Sequence, residues 1–284
     1  MGVREESPQS PFRRSTLETE QTQAPTFFRR KRRMRTKWVS GQVVFGDGVR
    51  PASVSFDGES GTIVSVEQVD ANQVDERLLF PGFIDIHVHA REYPRPLEGD
   101  SRARERWEMS CRKETFSSAG EAALNGGVTL FGAMPNDPNP PSDIESYSRK
   151  LAAAADSRCP VILYALVTTT SSPWEDIPYK AYLDAIPSAI SFTRWSDLET
   201  ALARYRGCRV FFHAEDPKIL DRLGEGGPRW KTRPPAAEVS AVEKILELTS
   251  KLGLKSHICH VSTERTVRLI AEHNAQSEDR VTCE

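Results

Sequence analysis

The stretch "PGFIDIHVHARE", residues 81–92, decides how this chain is read. An apolar run from Phe83 to Val88 ends in two histidines one residue apart, and Arg91 follows two positions later. Side chains alternate between the faces of an extended strand, so His87 and His89 share one face and Val88 opposes them. Two imidazoles so placed can grip one metal ion. The plainer alternative is a strand whose end happens to be polar. The chain has only six histidines, so the positions of the other four separate the two readings.

The bulk properties set the frame. The 284 residues suffice for one large domain or two ordinary ones. A hydrophobic fraction of 38% allows a sizeable core beside a charged fraction of 27%. The net charge of −2 gives no bias towards nucleic acid or membrane. Five cysteines (Cys111, Cys159, Cys208, Cys259 and Cys283) form no CxxC pair. An odd count without such pairs points to a reducing, cytoplasmic setting rather than a disulfide framework. No apolar run approaches the ~20 residues of a membrane span, and the first residues lack the apolar core of a secretory signal.

Residues 1–37 are rich in Ser, Thr, Gln, Glu and Pro and end in seven basic residues between Arg29 and Lys37. Such a segment buries too little apolar area to order itself, so a disordered basic tail is expected. A nuclear or nucleic-acid signal is the competing reading of the basic run, and a start at Met34 is another. Residues 38–80 alternate apolar and polar side chains between Gly-Asp-Gly and Asp-Gly turns, which predicts a small β module of three antiparallel strands, completed by a later segment or by the C-terminus.

After Pro81 the pattern becomes strand then helix. Strands are expected at 83–88, 128–134, 161–168, 177–183, 210–214, 257–261 and 281–284, and helices at 119–125, 143–155, 198–205, 236–252 and 264–274. Gly126, Gly127 and Gly253 stand where helices end. This alternation predicts an α/β fold with a parallel sheet. Seven strand–helix units, with no GxGxxG after the first strand, favour a TIM (β/α)8 barrel over an open dinucleotide-binding sheet. A closed barrel needs an eighth strand, so residues 81–284 read as an incomplete barrel, truncated before strand 8.

In such a barrel the C-terminal strand ends carry the chemistry. His213 falls at the tip of "FFHAED" and His257 and His260 in "HICHV". His260, nearer the tip and on the face of Ile258, is the better ligand candidate; His257 reads as a core histidine and His273 as a surface one. Converging histidines favour the metal site.

Taken together, "PGFIDIHVHARE", "KETF", "GGVTLFGAMPNDPNPP", "HAED", "HICHVST" and "RVTCE" resemble the dihydroorotases of the cyclic amidohydrolase group, in order and in approximate spacing. The resemblance covers residues 38–284. It implies two Zn2+ ions bridged by a carboxylated lysine and a hydroxide, with His87 and His89 on the first ion and His213 and His260 on the second. The bridging lysine falls on strand 4, where Lys180 in "YKAYLD" fits; a surface lysine is the alternative. Arg91 and Asn136 match the pair that binds the substrate carboxylate, and an Arg91–Glu92 surface ion pair competes with that role. The implied reaction interconverts dihydroorotate and N-carbamoyl-L-aspartate in pyrimidine biosynthesis. The aspartate that shuttles the proton lies at the end of strand 8, beyond "VTCE", so no catalytic acid or base is assigned here. The chain then reads as an inactive fragment of a cytoplasmic enzyme. Its partner is a small-molecule substrate, without nucleic acid or membrane, and a homo-oligomer is compatible with the sequence. The alternatives are an allantoinase or dihydropyrimidinase, in which Arg91 and "MPN" would be unusual, and a non-catalytic partner subunit. A charged insertion at 93–112 is expected to be exposed.

Overall fold

The computed structural model describes residues 36–96, 99–184, 190–223 and 227–284. The chain divides between Phe80 and Pro81 into two compact units. In the first, β1 (Thr36–Phe45), β2 (Gly48–Asp57) and β3 (Ile63–Gln68) form an antiparallel sheet. The Asp-Gly-Glu-Ser turn between β2 and β3 is fixed by Asp57, whose Oδ1 accepts from Ser60 N at 2.8 Å. A short β4 (Leu78–Leu79) adds to the free side of β1 in parallel. The sheet starts at Thr36, two residues inside the stretch read as tail; the remainder of that tail, residues 1–35, lies outside the described residues.

The second unit opens on β5 (Phe83–Val88), followed by α1 (Ser101–Cys111), α2 (Phe116–Asn125), β6 (Val128–Ala133) and α3 (Ile144–Ala154). Next come β7 (Val161–Leu163), β8 (Ala165–Leu166), β9 (Tyr179–Leu183), β10 (Ser191–Phe192), α4 (Trp195–Leu202) and β11 (Arg209–His213). It closes with α5 (Pro217–Leu223), α6 (Arg229–Thr232), α7 (Pro235–Leu252), β12 (Lys255–Ile258), α8 (Glu264–Gln276) and β13 (Thr282–Cys283). The helices start on the residues that suit them: Thr115, Asp143 and Thr263 each accept from a backbone N–H in the first turn. Gly253 ends α7 at φ 62°, a left-handed position glycine takes without steric cost.

Every strand pairing in this unit is parallel. β5, β6 and β7 form one sheet, and β9, β11, β12 and β13 follow in a second, with β8 and β10 on the other side of β9. Among the described residues the sheets do not close into a barrel. The strand expected at 161–168 breaks at Tyr164, so β7 pairs with β6 while β8 pairs with β9. The Tyr164 side chain crosses over β6, and its hydroxyl donates to Ile86 O at 2.8 Å. Gly132 leaves room for it, since a Cβ there would lie 2.6 Å from the Tyr164 ring.

The packing has two sides. Tyr164, Phe211, Met134 and Cys259 bury against one another beneath the strand tips. On the helix side, Ala241, Val242 and Ile245 of α7 pack on Val210, Phe212 and Ile258, and Phe116 and Ala119 of α2 pack on Phe131 and Leu163. Among its described residues the insertion at 93–112 exposes most of its charged side chains, as expected, but it also packs through part of its length. It carries α1, Tyr93 is buried, and Trp107 Nε1 donates to Tyr93 O at 2.7 Å. Two aromatics within the charged run give it a packing face of its own.

Candidate metal centre

The C-terminal ends of β5, β9 and β11 and the residues after β12 meet around a cavity of about 360 Å³. His87, His89, Asn136, Lys180, His213 and His260 line it. The imidazoles are close: ring centroids are 5.1 Å apart for His87–His89, 5.5 Å for His87–His260 and 4.8 Å for His213–His260.

Three of the four rings have a partner outside the histidine cluster that orients them. His87 Nδ1 bonds to the Glu284 carboxylate. His89 Nδ1 donates to Asn136 Oδ1 at 2.9 Å. His213 Nε2 donates to Glu215 Oε2 at 2.8 Å, which turns His213 Nδ1 towards His260 Nε2, 3.0 Å away. Glu215 is held by Arg233, which also donates to Asp184 Oδ2 at 2.8 Å. Carboxylates and carbonyls behind histidines fix tautomer and ring orientation, the arrangement typical of metal-ligating imidazole.

The electrostatics favour uncharged donors. Burial lowers the pKa of His89, and Asn136 only partly offsets it. Burial pulls His260 down to about 4, helped by the nearby His213 and Lys180 charges. Both rings therefore keep lone pairs at neutral pH. Lys180 is fully buried, and burial lowers its pKa too; its Nζ donates to Cys259 Sγ at 2.8 Å. That excludes the surface-lysine alternative. Cys259 is pushed up to about 11 by burial and stays a thiol. For Glu284 burial works upward, but the His87 hydrogen bond and charge outweigh it and hold the carboxylate ionised. Donor atoms of His87, Cys259 and Glu284 lie within 4.8 Å of one another. The neutral imidazoles of His89 and His260, an anionic carboxylate at Glu284 and the orienting partners behind His87, His89 and His213 suit a divalent cation.

Asn136 lines the cavity and Arg91 contacts Asn136 from behind. Arg91 donates through one Nη to Asn136 O at 3.2 Å, which ties "HVHAR" to "MPN". Glu92 turns away and accepts from Phe116 N at 2.9 Å. Among the described residues no carboxylate pairs with Arg91, against the Arg91–Glu92 ion pair considered from sequence. Arg91 is not itself among the residues that line the cavity. Asp137, next to Asn136, is locked by a buried ion pair with Lys150 of α3.

Two expectations about the histidines are corrected. β12 ends at Ile258, so His260 is not on a strand and shares no strand face with Ile258. It sits at φ 43°, alone among the described non-glycine residues in having positive φ. His257 is buried as expected, with Nδ1 2.8 Å from Thr282 Oγ1 and Nε2 without a partner among the described residues. His273 is partly buried, with Nε2 donating to Asp279 O at 2.9 Å, rather than a free surface histidine. Sequence reading overlooked Glu215, Arg233, Glu284 and Cys259 at this site. "HAED", "HICH" and "RVTCE" carry three of them, but only folding shows where their side chains go.

Comparison with known proteins agrees with this architecture. A dihydroorotase from Thermococcus kodakarensis is 28% identical over 245 residues, 83% of this chain and 53% of its own length. An allantoinase from Rubrobacter xylanophilus is 33% identical over 261 residues, 84% of this chain and 52% of its own. The chain thus spans about half the length of the curated relatives it matches. Among solved structures, an L-hydantoinase from Arthrobacter aurescens superposes with a TM-score of 0.66 at 19% identity, over 86% of this chain and 56% of that one. That likeness marks the unit as TIM-barrel-like α/β. A family model described as "Amidohydrolase family" matches residues 78–258, more than half of the chain, and the chain belongs to that family.

Proposed function

We propose that the protein to which this chain belongs is a metal-dependent hydrolase of cyclic amides, with dihydroorotate as the substrate. The observation that carries this reading is the gathering of His87, His89, Lys180, His213 and His260 around one cavity, with Asn136 on its wall and Arg91 tied to Asn136. Those five residues are the proposed holders of two Zn2+ ions, with Lys180 carboxylated. Bound there, the ions supply Lewis acidity and a nucleophile at neutral pH.

The remaining work falls to the chain. Burial lowers the pKa of Lys180, which favours the neutral amine that can add to CO2 and lose a proton, leaving a carbamate anion. Glu284 and Glu215 keep His87 and His213 turned inward. Arg91 has guanidinium N–H groups left for a substrate carboxylate beyond the one given to Asn136 O. That cation separates an acid-bearing ring from a neutral one. No residue of the chain is assigned the proton shuttle, and we propose that residues 81–284 form an incomplete (β/α)8 barrel within a cytoplasmic enzyme.

A second reading has an observation behind it: an allantoinase is the 33%-identical relative. Hydrolysis rates of dihydroorotate, allantoin and dihydrouracil by the full-length protein decide between them. Dihydroorotate turnover that collapses in Arg91→Ala supports the proposal; preference for either neutral ring overturns it.

A further inference from the structure

The "RPPAAEVS" stretch at 233–240 takes no part in the site as described so far, except for Arg233. Glu238 stands in the first turn of α7. Its carboxylate faces the loop that follows His260. Oε2 accepts from Ser262 N at 3.1 Å and from Ser262 Oγ at 2.5 Å. Oε1 accepts from Thr263 N at 3.1 Å and from Thr263 Oγ1 at 3.0 Å. Burial raises the pKa of this carboxyl, but the hydrogen bonds from Ser262, Thr266 and Thr263 outweigh it, so it stays ionised.

What this grip holds is unusual. The ladder from β11 continues to Cys259, whose N–H donates to Phe212 O at 3.0 Å. The chain then turns through the left-handed conformation at His260. A non-glycine residue in that region is strained and persists only where its surroundings impose it. Upstream the surroundings are the β11 ladder; downstream, Val261 N donates to Glu284 O at 2.6 Å and the next two residues are clamped by Glu238. The turn is what brings His260 Nε2 to 3.0 Å from His213 Nδ1. α7 itself is anchored by Ala237, Ala241 and Val242, all fully buried, so the carboxylate projects from a rigid element.

We infer that Glu238 is a positioning residue for the metal centre: its carboxylate holds Ser262 and Thr263 and thereby fixes His260 in the geometry that pairs it with His213. The inference rests on the metal-binding reading of the site, but its effect on His260 can be read without metal. Glutamine at 238 replaces one acceptor oxygen with an NH2 group that faces N–H and O–H donors, so one half of the clamp opens.

The test uses the full-length protein with Zn2+ as the probe. Zinc affinity is measured by competition with a chromophoric chelator, and the histidine ring 15N signals are recorded in the zinc-free protein. Glu238→Gln is expected to weaken zinc binding about 10–100-fold, the range for partners that orient ligands. It should move the His260 ring signals and leave those of His89 in place. Ser262→Ala, which removes one hydroxyl donor and keeps the carboxylate, should show the same pattern more weakly, and it carries the test if Glu238→Gln does not fold. Zinc affinity within twofold of wild type together with unmoved His260 signals in both variants overturns the inference. A wild-type full-length protein that binds no zinc overturns the function proposed above instead, and the His260 signals alone then decide the role of Glu238.

Discussion

At the scale of single residues, Lys180 shows how far burial can depart from a residue's habit. It has 0% exposure in a strand buried along its whole length, Tyr179–Leu183. Parallel strands covered on both faces bury every position, so alternation could not say which way the lysine points. Among the described residues its Nζ meets the Cys259 thiol and, 5.1 Å away, the Tyr182 ring, with no carboxylate to neutralise it, and a buried cation without a counter-charge costs several kcal/mol. Lys180→Met removes that cost at similar volume. The expected result is a thermal midpoint equal to or above wild type with zinc stoichiometry reduced, read by melting curves and elemental analysis; retained full zinc would remove Lys180 from the ligand set. His257 makes a different prediction. Burial pulls it down to about 4 from an ordinary 6.5. Its folded pKa lies below its unfolded one, so its contribution is complete above pH 6.5 and is lost as pH falls towards 4. Across that window the unfolded state binds the extra proton, and stability falls by up to ~1.4 kcal/mol per pH unit from this group. Urea midpoints from pH 7 to 4 should therefore flatten in His257→Gln relative to wild type. Histidine positions were legible in the sequence because strand tips are few. Their orienting partners were not, because Glu284 and His87 are separated by almost the whole unit in the chain.

At the scale of elements, the strand order and most helices followed from alternation and caps, and the departures have local causes. Tyr164 splits the strand expected at 161–168 because its side chain reaches back to Ile86 O over Gly132. A long-range hydrogen bond of that kind leaves no trace in periodicity. Gly132→Ala would place a Cβ 2.6 Å from the ring and 2.9 Å from Ile86 O. Neither neighbour can yield cheaply, since one is backbone and the other is buried. The expected destabilisation is ~1–3 kcal/mol, read from urea unfolding, and Tyr164→Leu should recover part of it in the double variant. The β12 end is the second departure. "HICHV" reads as an unbroken strand, yet the strand stops at Ile258, and His260 turns out through positive φ. Residue type gave no warning, because neither Gly nor Asn marks the turn. The third is the clamp between α3 and the loop after β6. Lys150 and Asp137 are both buried and paired, and Asp137 adjoins Asn136. Removing one partner of a buried pair costs ~3–5 kcal/mol. Lys150→Met should therefore destabilise the fold, and, on the activity proposed above for the full-length protein, it should raise KM more than it lowers kcat, because the loop it holds carries Asn136. An unchanged KM would place the pair in folding alone.

At the scale of the whole molecule, no single element builds the site. Residues at and just after the end of β5, on β9, at the end of β11 and after β12 supply it, and the parallel order puts all of those ends on one rim. Each strand contributes one or two donors, so a cation bound at that rim would join elements that touch only through neighbouring strands. Binding to the native state alone stabilises it by RT ln(1 + [L]/Kd), about 2.7 kcal/mol when free metal is 100 times Kd. For a domain of roughly 200 residues that corresponds to a midpoint rise of about 5–10 °C. The rise should appear on adding Zn2+ to chelator-treated protein and vanish on returning the chelator. It should also depend on donors that lie far apart in the chain. His87→Ala on β5 and His213→Ala at the end of β11 should each abolish most of it, although each leaves the other's strand intact. Zinc held by one local cluster would give another result, with one substitution abolishing the shift and the other leaving it whole. Loss in both variants, with the zinc-free midpoints little changed, is what a centre assembled from the whole strand series requires.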